Sequence, residues 1–192
     1  MVFIMLVSVV ARLKLIFWLI LFSSTVHAET FEVSSAHISK IGNGYVLNAE
    51  IKYPLTPRVL EAIVNGVPII FEQQLELIKS TPLLGSYWQW NETLWSAELR
   101  HELRYHALSQ QYVLQAIDTN SQRNFPTLNA ALYALGQIKD LNLPPEYFED
   151  RDNLVFQLRS GIDLNALPTP MRPGALISSK WQLTSPWVEA QW

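Results

Sequence analysis

From residue 30 onward, apolar and polar positions alternate in runs long enough to specify strands. Tyr45, Leu47, Ala49, Ile51 and Tyr53 fall on one side of an extended chain, and Asn48, Glu50 and Lys52 on the other. That is the two-residue period of a half-buried strand. Phe31–Ile41 is its expected partner, joined through Gly42-Asn43-Gly44, residues that tolerate positive φ in a hairpin. A helix is predicted next. Thr56 can cap it, Pro57 suits its first position, Gly66 suits the residue past its end, and Val59, Leu60 and Ile63 form an apolar stripe. Ile69, Phe71, Leu75 and Leu77 then alternate with Glu72, Gln74 and Glu76, giving another strand.

The same order recurs. Leu99, His101, Leu103, Tyr105 and Ala107 alternate with Arg100, Glu102, Arg104 and His106, which favours a strand over the helix that Trp95, Leu99 and Leu103 would also fit. Tyr112-Val113-Leu114-Gln115-Ala116 echoes Tyr45-Val46-Leu47-Asn48-Ala49. Thr127 announces a second helix, with Leu128, Ala131, Leu132 and Leu135 on one face and Gly136 as its stop. After Pro144-Pro145, Leu154–Asp163 is expected as the closing strand. The predicted fold is therefore α+β: mostly antiparallel β with two short helices, built as a duplicated ββαβ unit and sandwich-like. Residues 167–174 are Pro-rich and expected to run extended over the surface, because proline removes donors and fixes φ. The tail that follows carries Trp181, Trp187 and Trp192, enough aromatic area to expect it docked.

The N-terminus departs from this alternation. Leu15–Phe22 is an unbroken apolar run preceded by Arg12 and Lys14 and followed by Ser23-Ser24-Thr25-Val26-His27-Ala28. This is the charged, apolar and small-residue order of a secretory signal, with cleavage expected after Ala28. An uncleaved anchor in the inner membrane is the competing reading, but a span needs about 20 consecutive apolar residues. The expected division is a signal over 1–28 and one β-rich domain over 29–192, with the mature protein in the periplasm.

Composition narrows the chemistry. Of 14 basic residues, Arg12 and Lys14 leave with the signal, so 12 remain against 17 acidic ones. Phosphate neutralisation needs the opposite balance, which argues against nucleic acid as a partner. There is no cysteine, and so no disulfide, thiolate metal site or cysteine nucleophile.

Few residues suggest a site. His101-Glu102-x-x-x-His106 resembles a zinc protease motif superficially, but the histidines are five apart instead of four, and a strand sends them to opposite faces. Arg159 and Asp163 share one face of a strand, with Arg172 expected nearby after the turn. That group fits either an active site or an ion pair that pins a loop. Asp150-Arg151-Asp152-Asn153 lacks the glycine and distal glutamate of a calcium loop. No cofactor motif is present, and no cofactor is expected. Tyr87, Trp88, Trp90 and Trp95 surround a break after Thr81–Ser86 and read either as a binding platform or as core.

Several segments together resemble the DUF4390 family of exported bacterial proteins of unknown function. They are Tyr45 to Pro57 with Asn65-Gly66-Val67-Pro68, then Trp88-x-Trp90, and Leu103-Arg104-Tyr105-His106-Ala107-Leu108-Ser109-x-Gln111-Tyr112. Phe125-x-Thr127-Leu128-x-x-Ala131-Leu132, Asp163-Leu164-x-x-Leu167-Pro168-x-Pro170-x-Arg172 and Trp181-x-Leu183-x-Ser185 complete the match. The resemblance implies an envelope protein, often encoded near a two-component sensor kinase, and supplies no activity. The expected function is a binding or interaction module of the envelope. Its candidate contact residues are Trp88, Trp90, Trp95, His106, Arg159, Asp163 and Arg172, and its candidate partner is an envelope protein such as the periplasmic region of a sensor kinase. The alternative is a hydrolase or lyase with an unrecognised site. Membrane contact is expected only through the N-terminal segment if it stays attached.

Overall fold

A computed structural model describes residues 30–82, 89–148 and 153–192. The N-terminal segment expected as a signal, Tyr87, Trp88 and Asp150–Asp152 lie outside the described residues. Strands β1 (Glu32–Ile41) and β2 (Gly44–Lys52) form the expected hairpin, with Ile41 opposite Gly44. Gly42 has φ +60°, which only a residue without Cβ adopts cheaply, so it sets the first position of the two-residue turn. Leu47, Ala49, Ile51 and Tyr53 are buried, as the alternation predicts. Helix α1 (Pro57–Val64) starts at Thr56, whose hydroxyl accepts from the Val59 amide at 3.4 Å and donates to the Lys180 carbonyl at 2.7 Å. It buries Val59, Ala62 and Ile63, while Leu60 turns to solvent.

β3 (Ile69–Pro82) and β4 (Gln89–His106) form a long antiparallel pair that runs into β5 (Gln111–Ala116) and β6 (Gln122–Phe125). Helix α2 (Leu128–Gly136), capped by Thr127, passes directly into β7 (Gln137–Leu143). β8 (Leu154–Ile162), helix α3 (Arg172–Leu176) and β9 (Val188–Glu189) complete the order. One sheet runs β1-β2-β7 and the other β6-β5-β4-β3-β8-β9. The fold is thus α+β and mostly antiparallel, with three short helices and two sheets.

The C-terminal tail joins the sheets. β9 pairs with β8, and two residues later Gln191 bridges β1: Ile38 N–H donates to the Gln191 carbonyl at 2.7 Å, and Gln191 N–H donates to the Ala36 carbonyl at 2.9 Å. Trp181, Leu183 and Ala190 are buried, and Trp192 packs edge-on against Phe148, which stacks on Tyr45. The core between the sheets is continuous from Phe31 to Ala190. Among the described residues, no helix is long and apolar enough to cross a membrane.

Three expectations change. The ββαβ order recurs only with an extra strand, β6, before the second helix, and the pairing does not recur: β3 pairs with β4, whereas β7 pairs with β2. The strand after the second helix is β7; Leu154–Ile162 comes later and lies beside β3. Residues 167–174 are not extended throughout. Pro173 sits in the first turn of α3, where its missing N–H costs nothing, and Leu167 is buried.

Candidate functional site

The alternation along β3, β4 and β8 sends one set of side chains into the core and the other onto the outer face of the six-stranded sheet. Register then decides which charges meet. Glu72 lies opposite Arg100 and Gly161, Gln74 opposite Glu98 and Arg159, and Glu76 opposite Ser96 and Gln157. Arg159 Nε donates to Gln74 Oε1 at 2.7 Å, and Gln74 Nε2 donates to Glu72 Oε1 at 3.3 Å. Gln157 Nε2 donates to Glu76 at 3.0 Å, and the Arg159 guanidinium lies 4.5 Å over the Trp187 ring. Arg100 joins Asp163 on one side and stands 3.3 Å from Glu98 on the other. Burial pushes the Glu72 carboxyl above its ordinary range, helped by Glu98 and Asp163 and opposed by Arg100 and Arg159.

Asp163 is committed to structure. One oxygen takes Arg100, and the other accepts the amides of Asn165 and Ala166 at 2.9 and 3.2 Å, capping a 3-10 turn. Arg159 and Asp163 therefore belong to one charged face, as their spacing predicts. Arg172 does not join them: it donates to the Leu167 carbonyl at 2.6 Å and clamps its own Pro-rich turn, leaving Arg100 as the cation on Asp163. Sequence reading missed Arg100, Glu72 and Trp187, because only the strand register shows that residues so far apart meet.

The two histidines point to opposite faces of β4. His101 faces inward, and burial holds its pKa below the ordinary 6.5, with Asp118 opposing and Arg123 reinforcing. His106 is exposed, and its described hydrogen bonds stay within its own turn, with Nδ1 3.0 Å from Ser109 Oγ and 3.4 Å from the Ser109 amide. Among the described residues, no group of three or more His, Asp or Glu side chains is placed to hold one metal ion.

A polar relay crosses the core. Gln73 is 1% exposed on the inner face of β3; its Nε2 donates to the Tyr53 hydroxyl and to the Leu135 carbonyl, both at 2.9 Å. Tyr53 and Ser160 share a 3.0 Å bond, and Ser160 Oγ donates to the Glu72 carbonyl at 2.8 Å, so the tyrosine proton points to the serine. Ser160 N–H donates to Ser185 Oγ at 2.9 Å. Gln73, Tyr53, Ser160 and Ser185 are thus each hydrogen-bonded within this relay, the condition under which buried polar side chains are tolerated.

The aromatic cluster divides. Trp95 faces the core and stacks on Phe156 at 6.3 Å, so it is packing and not platform. Trp90 is 64% exposed, on the part of the β3–β4 hairpin that runs past the end of β8, whose pairing stops at Lys79. A separate groove of about 390 Å³ lies between the end of β2 and α2, lined by Lys52, Tyr53, Leu132 and Tyr133 among others. None of the candidate contact residues named from the sequence is among its lining residues.

No curated protein and no solved structure matches the chain. The family model for a domain of unknown function, DUF4390, matches residues 28–191. That match spans most of the chain and both sheets, and the chain belongs to the DUF4390 family.

Proposed function

We propose that this chain is an exported binding module of the bacterial envelope, acting through non-covalent contact with a partner protein. The observation that carries the reading is Trp90, 64% exposed on a hairpin that extends beyond the end of β8. An indole left open to water forgoes about 2–4 kcal/mol of burial at roughly 25 cal/mol per Å², which a partner surface can recover. Tryptophans so placed commonly dominate interface energetics. The signal-like N-terminus supports export to the periplasm, and a partner such as the sensing region of an envelope kinase follows from the family resemblance.

A hydrolase or lyase has one observation in its favour, the 3.0 Å contact between His106 and Ser109. That contact closes a turn, and a catalytic pair needs a third group to orient the ring. The deciding experiment places a photo-crosslinking residue at position 90 of the full-length chain in intact cells. A discrete adduct with an envelope protein is the expected result. Recovery of the chain in the cytosolic fraction, or no adduct, would sink the proposal.

A further inference from the structure

β4 is paired on both sides only over His101–Leu103. β3 covers one side from Gln89 to Leu103, while β5 covers the other only from His101 onward. The last backbone bond on that second side runs from the Ile117 amide to the Arg100 carbonyl at 2.9 Å. Among the described residues, nothing pairs with the far side of β4 over Trp90–Leu99, an edge of about 30 Å at roughly 3.3 Å per residue. Donors and acceptors on an antiparallel strand face the same side at every second residue. With Arg100 facing the β5 side, Glu98 and Ser96 present their N–H and C=O groups to the open side as well.

The other outer edges are blunted. β6 spans four residues and carries Arg123, and β7 is kinked at Asp140 (φ 49°) and carries Lys139. The tail bridges the far side of β1 at His37 and pairs with β8 at Gln157 and Leu158, and β1 outside that bridge carries a register break between Val33 and Ser35 and Lys40 near its end. Short length, a kink and cationic side chains are the devices that keep edges from recruiting a strand. Trp90–Leu99 has no proline, lysine or arginine, and its one irregularity is the register shift near Leu94.

We propose that this edge takes an added strand from a partner protein, one that places apolar side chains over Trp95, Ala97 and Leu99 and lysine or arginine opposite Glu98. The chemistry of the edge selects that occupant. Its inner face is apolar and half-buried, and within Trp90–Leu99 its only charges are Glu92 and Glu98, the second of which shares its exposed carboxylate with Arg100 at 3.3 Å. A second copy pairing through the same edge would bring acid toward acid, which is destabilising, whereas a basic strand is attracted. Main-chain bonds supply the affinity, and alternate side chains the specificity. This rests on the binding-module reading and names the surface it uses.

The test uses the full-length chain and two ten-residue probe peptides, one alternating valine with lysine and one alternating valine with glutamate. Hydrogen exchange at the Ser96 and Glu98 amides should slow with the lysine peptide and not with the glutamate peptide. Ser96→Pro removes one open-side donor without touching the β3 ladder, and should weaken lysine-peptide binding about tenfold or more with little change in Tm. Glu98→Lys should reverse the peptide preference. No slowing, equal slowing by both peptides, or amides already protected in the free chain would overturn the proposal. In the last case, sedimentation separates a second copy from an N-terminal segment of the same chain. A crosslinked adduct at position 90 that survives Ser96→Pro would refute strand addition while leaving the binding module standing.

Discussion

A Cβ built on Gly136 would stand 2.0 Å from the Ile51 carbonyl oxygen. Helix α2 therefore ends pressed against the backbone of β2, and no side chain of any size fits between them. Gly136→Ala must push the helix end away from the sheet, and is expected to cost about 2–3 kcal/mol, seen as a lower Tm. Gly174 in α3 has nothing within 4 Å of the same position. Gly174→Ala should be neutral or stabilise by up to about 1 kcal/mol, the usual effect of replacing glycine in a helix.

The relay through Tyr53 predicts strong coupling. Tyr53→Phe strands one N–H of Gln73 in the core and should cost about 1–3 kcal/mol, the penalty for an unpaired buried donor. Gln73→Leu alone leaves the Leu135 carbonyl short of its donor. The double variant removes both ends of one bond, so its cost should fall below the sum of the two, read by urea denaturation as a double-mutant cycle. Burial pushes the Tyr53 phenol to about 12. Folding thus holds that proton more tightly than the unfolded chain, and stability is lost as pH rises from about 10 through 12. Tyr53→Phe should remove that alkaline loss.

His101 gives a pH dependence of the opposite kind. Its folded pKa is depressed by burial, so the unfolded chain binds the proton better and stability falls as pH drops through 6.5. Glu72 works against this, since its raised pKa favours the folded state as pH falls. The difference between the wild type and His101→Leu isolates the histidine. Urea midpoints at pH 7.5 and 5.5 should separate more in the wild type than in the variant.

Much of this architecture is legible in the sequence because burial enforces period two along β2, β3 and β4 and because Thr56 and Thr127 cap where expected. β7 is not legible: it follows α2 without a turn, and the break at Asp140 interrupts its alternation. β6 reads Gln-Arg-Asn-Phe, with no apolar period to find. Gly136 announces a helix end, but the reason it is glycine, the approach of Ile51, is a tertiary fact. The charged face shows as polar alternation, yet the union of Arg100 with Asp163 and of Arg159 with Trp187 depends on the register of β3 between β4 and β8 and on the path of the tail. Local pattern cannot supply that.

The two described tryptophans of β4 should respond differently to truncation. Trp95 is half-buried against Phe156, and Trp95→Ala is expected to cost about 2–3 kcal/mol, somewhat below a fully buried tryptophan. Trp90→Ala should stay within about 0.5 kcal/mol, as surface changes usually do. Thermal melts of the two variants check the division of the cluster into core and contact residues. A destabilised Trp90→Ala would place that indole in the core.

Gln191 joins the tail to β1 through its backbone alone: the amide donates to the Ala36 carbonyl at 2.9 Å, and the carbonyl accepts from Ile38 at 2.7 Å. One residue earlier, the Ala190 amide donates to the Phe156 carbonyl of β8 at 2.8 Å. The tail therefore occupies two strand edges at once, and both would otherwise offer unpaired groups to other chains. Gln191→Ala keeps the backbone and should melt like the wild type. Gln191→Pro removes the donor to Ala36 and should cost about 1–3 kcal/mol. Deleting residues 188–192 removes all three bonds together with the Trp192 contact on Phe148, and should lower Tm by about 6–12 °C if the loss is near 3 kcal/mol. The same deletion frees β1 and β8, so sedimentation should show self-association that Gln191→Ala lacks. A truncated chain that stays monomeric with an unchanged melt would mean that the sheets hold together without the tail.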